Sequence, residues 1–233
     1  MKEKIKPKIF DSSALRELVF GMEDGMVSTM GAITGIAVGS GNHTIVLLSG
    51  AVIIAVESIS MGVGSYLSNK SEQAMEEKEV ADLRARIQQK KEIGPSDVQQ
   101  IFEAEGWSSS VAQSMTTEAL QNPALLSNEL SYRTLGIAHH KEEHPLKNGV
   151  IMLGAYVIGG LVPLSPYIFA SGTDVGRMIP VSVGLTLVGL FSLGAYITKF
   201  SLRKWWKGGF EMLILAGVAG AVGYIVGQYF GAV

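Results

Sequence analysis

Five long apolar runs, with nearly all of the charge lying between or beside them, constrain this chain more than any other feature of its sequence. A bilayer core is crossed by roughly 20 apolar residues in helical form, because a backbone polar group left unpaired in hydrocarbon costs several kcal/mol. Runs over 15–38, 44–67, 150–170, 179–198 and 210–230 reach that length. The expectation is an all-α integral membrane protein with five transmembrane helices and a cytosolic helical insert between the second and third. Its segments are a cytosolic N-terminal stretch over 1–14, helices one and two over 15–69, the insert over 70–147, and helices three to five over 148–233. Pro163 and Pro166 are expected to kink or end the third helix.

Composition agrees. Charged residues make up 17% of the chain, against roughly 25% in soluble domains. The 28 glycines would each cost about 1 kcal/mol in a soluble helix, whereas between membrane helices they permit close backbone contact. Gly31, Gly35 and Gly39 form such a ladder on the first helix, to seat the second helix of the same chain or the same helix of a partner. Gly220, Gly223 and Gly227 repeat the theme in the fifth. With no cysteine there is no disulfide and no thiolate metal site. A net charge of −2 gives no case for nucleic acid. The first run carries Glu17, Glu23 and Asp24, so it does not read as a cleavable signal peptide.

Lysine and arginine alternate between connections. They are plentiful before the first run, over 70–147 and over 199–207, absent from the first hairpin turn, and limited to Arg177 between the third and fourth runs. The positive-inside rule then puts the N-terminus and insert in the cytoplasm and the C-terminus outside or in a lumen, with Trp205 and Trp206 in the cytoplasmic interfacial belt. The turn over 39–43 makes a tight hairpin of the first two helices. Residues 71–91 should continue the second helix. Gly94-Pro95 should break it, with Ser96 capping a new helix, and Gly106 and Asn122-Pro123 mark two further breaks. The insert carries 13 acidic and 9 basic residues.

The first helix holds the informative residues. A carboxylate at mid-membrane costs at least ~2.5 kcal/mol on insertion scales and is normally retained for a pathway or a partner. Glu17 and Asp24 are seven apart, two turns, and share one face, while Glu23 points elsewhere. Arg16 reads as an interfacial residue. Glu17 reads either as that or as part of a pathway. In the second helix Glu57, Met61 and Ser65 form one stripe at i+4 spacing. A carboxylate beside a thioether suits Fe²⁺ or Mn²⁺ better than Mg²⁺ or Ca²⁺. The insert's His139-His-Lys-Glu-Glu-His144 reads as a polar linker with the ingredients of a weak cation site. There is no P-loop, GxSxG or HExxH, and no paired Glu-x-x-His, so the chain is not expected to be an enzyme.

Asp24-Gly-Met-Val-Ser-Thr-Met-Gly-Ala, Glu57-Ser-Ile-Ser-Met-Gly-Val-Gly-Ser-Tyr-Leu-Ser68 and Gly159-Gly-Leu-Val-Pro-Leu-Ser-Pro-Tyr167 resemble the vacuolar iron transporter family, and the likeness spans essentially the whole chain. The resemblance implies a homodimer that moves Fe²⁺, often Mn²⁺, out of the cytosol in exchange for protons. The path would lie between subunits, lined by acids of the first helix and a methionine of the second. Asp24 matches the family's core acid, Glu17 an acid two turns earlier and Met61 the methionine. Ile53 stands where plant members place a glutamate, and Glu57 can replace it from the same face. Where the family's insert binds metal through glutamates and methionines, this chain has Asp97, Gln100, Leu130, Ser131 and Thr134.

The expected metal site is therefore Asp24, Glu57, Met61 and Glu17, with Fe²⁺ or Mn²⁺ as transported substrate and no permanently bound cofactor. Protons are the counter-ion; a second copy and membrane lipids are the partners. The alternative is a non-transporting membrane scaffold whose insert binds a protein.

Overall fold

The structure is a computed structural model that describes residues 12–88, 94–137, 144–169, 174–200 and 202–231. Among them the regular structure is helical: α1 (Ser12–Ser40), α2 (His43–Gln88), α3 (Pro95–Ala104), α4 (Ser109–Gln121), α5 (Pro123–Leu135), α6 (Pro145–Phe169), α7 (Val175–Ile197) and α8 (Trp205–Gly231), with a 3₁₀ turn over Thr198–Phe200. Two compact units divide the chain, one of residues 1–67 and 144–233, the other of residues 68–143.

In the larger unit α2, α6, α7 and α8 are long and apolar enough to cross a membrane. α1 is 29 residues long but more polar, and it is not among those four. Its place in the packing explains that polarity. α1 lies against α6, α8 and α7, and Met26, Met30, Ile33, Thr29 and Thr34 along it are almost wholly buried. A helix surrounded by its own chain does not need the apolar circumference that lipid demands.

Glycine makes these contacts possible. A methyl group at Gly25 would collide with the Tyr156 carbonyl oxygen of α6, and one at Gly21 would stand 2.8 Å from Ala155 Cβ. On the other side the two glycine ladders interlock: Gly31 faces Ala219, Gly35 faces Gly223, and Gly39 faces Gly227 and Gly231. Neither partner expected for the α1 ladder takes this place; α8 does. With no Cβ on either side the backbones meet directly, which is where van der Waals packing in a membrane is strongest.

The α1–α2 hairpin closes in two residues. Gly41 takes a positive φ of 57°, and Asn42 Oδ1 accepts from the amides of Thr44 and Ile45 at 2.9 and 3.2 Å. α6, expected to kink or end at its prolines, continues as helix through both to Phe169. Pro166 leaves the Val162 carbonyl without its usual amide donor, and Ser165 Oγ donates to that oxygen instead, at 2.7 Å.

The smaller unit has its own core of Leu83, Val98, Phe102, Ala112, Ala119, Leu126 and Leu130. α2 continues to Gln88 as expected. Ser96 is not the cap of α3. Gly94 is the cap residue, because Pro95 suits the first helical position and the Asp97 carboxylate accepts from the Gly94 amide at 2.7 Å. Gly106, at φ 96°, and Asn122, which caps α5, are breaks where expected. Arg133 pairs with Glu105 and Glu129 and lies over the Phe102 ring. Glu103 accepts hydrogen bonds from Gln99 and Ser109, which hold its carboxyl below the usual range.

Candidate functional site

One hydrogen bond fixes the register of α1 against α2. Ser65 Oγ donates to Glu17 Oε2 at 2.9 Å, and Arg16 donates to the other carboxylate oxygen at 3.3 Å. Glu17 is 5% exposed. That burial, with a partner on a second helix, separates Glu17 from its exposed neighbour Arg16.

From this anchor the two helices run antiparallel. Seven residues along α1, a rise of about 10 Å, leads from Glu17 to Asp24, and eight residues back along α2, about 12 Å, leads from Ser65 to Glu57. Asp24 and Glu57 should therefore lie at one level, and the structure makes them electrostatic neighbours. Met61, half-buried, lies one turn from Glu57 toward the Glu17–Ser65 pair. Of the four expected site residues, Asp24 and Glu57 fall at about one level by helical spacing, and Glu17 lies two turns away along α1.

Sequence reasoning missed a third group. Tyr156 of α6 is fully buried, and its hydroxyl is 2.7 Å from Ser28 Oγ of α1. A tyrosine in an apolar run carries no signal of its own. What delivers it is the glycine-mediated contact of α6 with α1 at Gly25 and Gly159.

Exposure separates the two central acids. Asp24 is half-buried, whereas Glu57 is exposed on an α2 face with Val56 (60%), Ile59 (57%) and Val63 (50%). Among the described residues no hydrogen-bond donor reaches either carboxylate, and no group of three or more His, Cys, Asp or Glu side chains gathers at one place.

A groove of about 750 Å³ runs along the seam of α1 and α8, from Ser28 to Gly39 and Ser40. Its lining holds no titratable group, so it suits apolar matter and not an ion. In the smaller unit, the insert positions singled out from the sequence serve structure. Asp97 caps α3, Leu130 is in the core, and the Ser131 and Thr134 hydroxyls donate to carbonyls four residues earlier in their own helix. The histidine-rich linker lies outside the described residues except for His144, which is exposed.

Residues 15–228 match the model of the VIT family. The chain belongs to the VIT family. Membership makes it a multi-pass membrane transporter and not an enzyme. Among relatives, it is 27% identical over 210 residues to vacuolar iron transporter 1 of Oryza sativa subsp. japonica, covering 90% of this chain and 82% of that protein. It is 28% identical over 225 residues to protein CCC1 of Saccharomyces cerevisiae, covering 93% and 69%. Vacuolar iron transporter 1 of Arabidopsis thaliana matches at 25% over 214 residues, covering 92% and 85%. In this VIT-family chain, Asp24 on α1 and Glu57 on α2 are the acidic residues that helical spacing sets at about one level.

Proposed function

We propose that this chain moves Fe²⁺ or Mn²⁺ out of the cytosol, by proton antiport, through a site built on Asp24, Glu57 and Met61 with Glu17 at its cytoplasmic entry. The observation that carries the proposal is the α1–α2 register set by the Glu17–Ser65 bond, which puts Asp24 and Glu57 at about one level, with no described donor to neutralise either. Two carboxylates in a low-dielectric setting repel and are poorly solvated. A dication cancels both charges, and so do two protons. Exchange of one for the other keeps the pair neutral on each side of the membrane, and protonation on the acidic side releases the metal because a ligand must be deprotonated to hold it. Names of relatives, vacuolar iron transporters among them, support iron as cargo.

In this reading α1 is the fifth membrane span, admitted at depth because α6, α7 and α8 cover it. The chain works as a homodimer. Glu57, exposed among apolar neighbours, would face lipid in a monomer at a cost of a few kcal/mol. A second copy placed against this face covers it and completes the cation shell. Lysine and arginine alternation supports a cytoplasmic N-terminus and insert, with the C-terminus across the membrane.

The test is uptake of Fe²⁺ and Mn²⁺ into proteoliposomes that are acidic inside, wild type beside Asp24→Asn. Gradient-dependent uptake that falls at least tenfold in the variant is expected. Wild-type vesicles of folded protein that take up neither ion would overturn the transport reading in favour of a scaffold.

A further inference from the structure

The connection between α7 and α8 gathers positive charge that the fold does not use. From residue 175 onward the only acid is Glu211, against Arg177, Lys199, Arg203, Lys204 and Lys207. Arg203 donates to Glu211 at 2.9 Å. Lys199, Lys204 and Lys207 are exposed, and among the described residues no carboxylate pairs with them. Two of these ammonium groups stand over aromatic faces instead. Lys199 Nζ is 5.1 Å from the Tyr196 ring centroid, and Lys207 Nζ is 5.6 Å from that of Trp206. A ring face steadies an ammonium without neutralising it. Lys204 immediately precedes α8, whose first turn adds the positive end of a helix dipole. At the opposite end of α7 there is no such excess, since Asp174 stands against Arg177.

Apolar side chains share the same turn: Phe200, Leu202, Trp205, Trp206 and Phe210 are exposed. α7 and α8 are each long and apolar enough to cross a membrane. The turn between two such spans sits at a bilayer face, where aromatic rings and long basic side chains meet lipid headgroups. Its footing is stiff. Gly194 and Gly208 bring the two helix backbones into direct contact, and the Phe191 ring meets Trp205 and Phe210 edge-on at 6.0 and 5.8 Å. We infer that this turn is a binding surface for anionic phospholipid, with headgroups on Lys199, Lys204 and Lys207 and acyl chains against the exposed rings. A soluble phosphate would match the lysines and leave Phe200, Leu202 and Phe210 in water, whereas a lipid satisfies both. Topology alone asks only that the charges stay on one side of the membrane. A binding surface also prefers one headgroup over another. That preference depends on the membrane setting and not on the cargo or direction of transport.

Tryptophan fluorescence tests this directly. The chain has three tryptophans, so Trp107→Phe leaves Trp205 and Trp206 as reporters at the turn. The full-length protein in that background is placed in phosphatidylcholine vesicles that hold a minor fraction of phosphatidylglycerol. Bromine is carried high on the acyl chains of one lipid or the other, and it quenches tryptophan on contact. The ratio of the two quenching efficiencies at equal brominated fraction gives the headgroup preference. A preference for phosphatidylglycerol of about threefold or more is expected, declining as salt rises. Lys204→Gln with Lys207→Gln should bring the ratio close to unity, while Lys204→Arg with Lys207→Arg should keep it. Arg177→Gln, at the other end of α7, should leave it unchanged. Lys199→Gln alone should lower it by a smaller factor, and it carries the test should the glutamine pair fold poorly. Equal quenching by the two lipids with the turn unsubstituted, or a preference that survives the glutamine pair, would overturn the inference. So would a rise in melting temperature in detergent that inorganic phosphate produces as fully as phosphatidylglycerol, the mark of a site for soluble anions.

Discussion

α1 and the first half of α2 are neighbours in sequence and in space, yet they solve opposite problems. α1 carries Arg16, Glu17, Glu23 and Asp24 and is covered by α6, α7 and α8. α2 over the same depth is apolar enough to cross a membrane, yet leaves Leu48, Val52, Val56, Ile59 and Val63 at least half exposed, with Glu57 among them. The more polar helix is inside and the more apolar one is outside. Hydropathy in such a protein therefore reports what a helix faces, not whether it lies in the bilayer. Glu57 breaks the pattern because it is charged and outward, and the proposed second copy is what would cover it.

The largest effect expected is all or none. The chain has no cysteine, so single cysteines report cleanly on contact. Val56→Cys, Ser60→Cys and Val63→Cys, treated in membranes with a short thiol crosslinker, should include at least one that yields a covalent dimer on a denaturing gel. Ala37→Cys, on the buried face of α1, should not. If all three α2 variants stay monomeric, the outward face of α2 meets lipid and Glu57 has another explanation.

Next in size is the glycine seam of α1. Gly227→Ala places a methyl against the Gly35 backbone of α1, whereas Gly217, on the same helix α8, has nothing within 4 Å of its would-be Cβ. The first should lower stability by about 1–3 kcal/mol or more, since backbone cannot rotate away. The second should be neutral or stabilising by up to about 1 kcal/mol, as alanine is the better helix former. Thermal unfolding in detergent, followed by size-exclusion chromatography, measures both. Equal responses would mean that α1 is not held by α8 in this way.

The smallest effect belongs to the link between the two helices. Ser65→Ala removes the 2.9 Å bond to Glu17. Hydrogen bonds to charged groups contribute roughly 1.5–3 kcal/mol, and Glu17 retains Arg16, so a loss of about 1 kcal/mol is expected from the same unfolding measurement. A loss well above that would make Ser65 the main support of the buried carboxylate.

Much of this was legible in the residues. Apolar length located the four helices α2, α6, α7 and α8 and, through intramembrane carboxylates, flagged Asp24 and Glu57 within α1 and α2. The breaks over 39–43, at Gly94-Pro95 and at Asn122-Pro123 followed from local backbone chemistry that acts over three or four residues. Ser96 failed as a cap because the choice between adjacent residues depended on which side chain reached back, and Asp97 did. Of the two outcomes expected of α6 at its prolines, a kink or an end, the end did not occur, because Ser165 supplied the Val162 carbonyl with the donor that Pro166 lacks.

The sequence by itself determined what must be hidden and where the chain can turn, since burial of apolar length and the φ preference of glycine are properties of the residues alone. Only the tertiary structure decided which glycine ladder met which, why α1 could be polar, and that Tyr156 of α6 meets Ser28 of α1. Those are matters of register between helices far apart in the chain. Register is fixed by the sum of many small backbone contacts, a sum that no single segment contains.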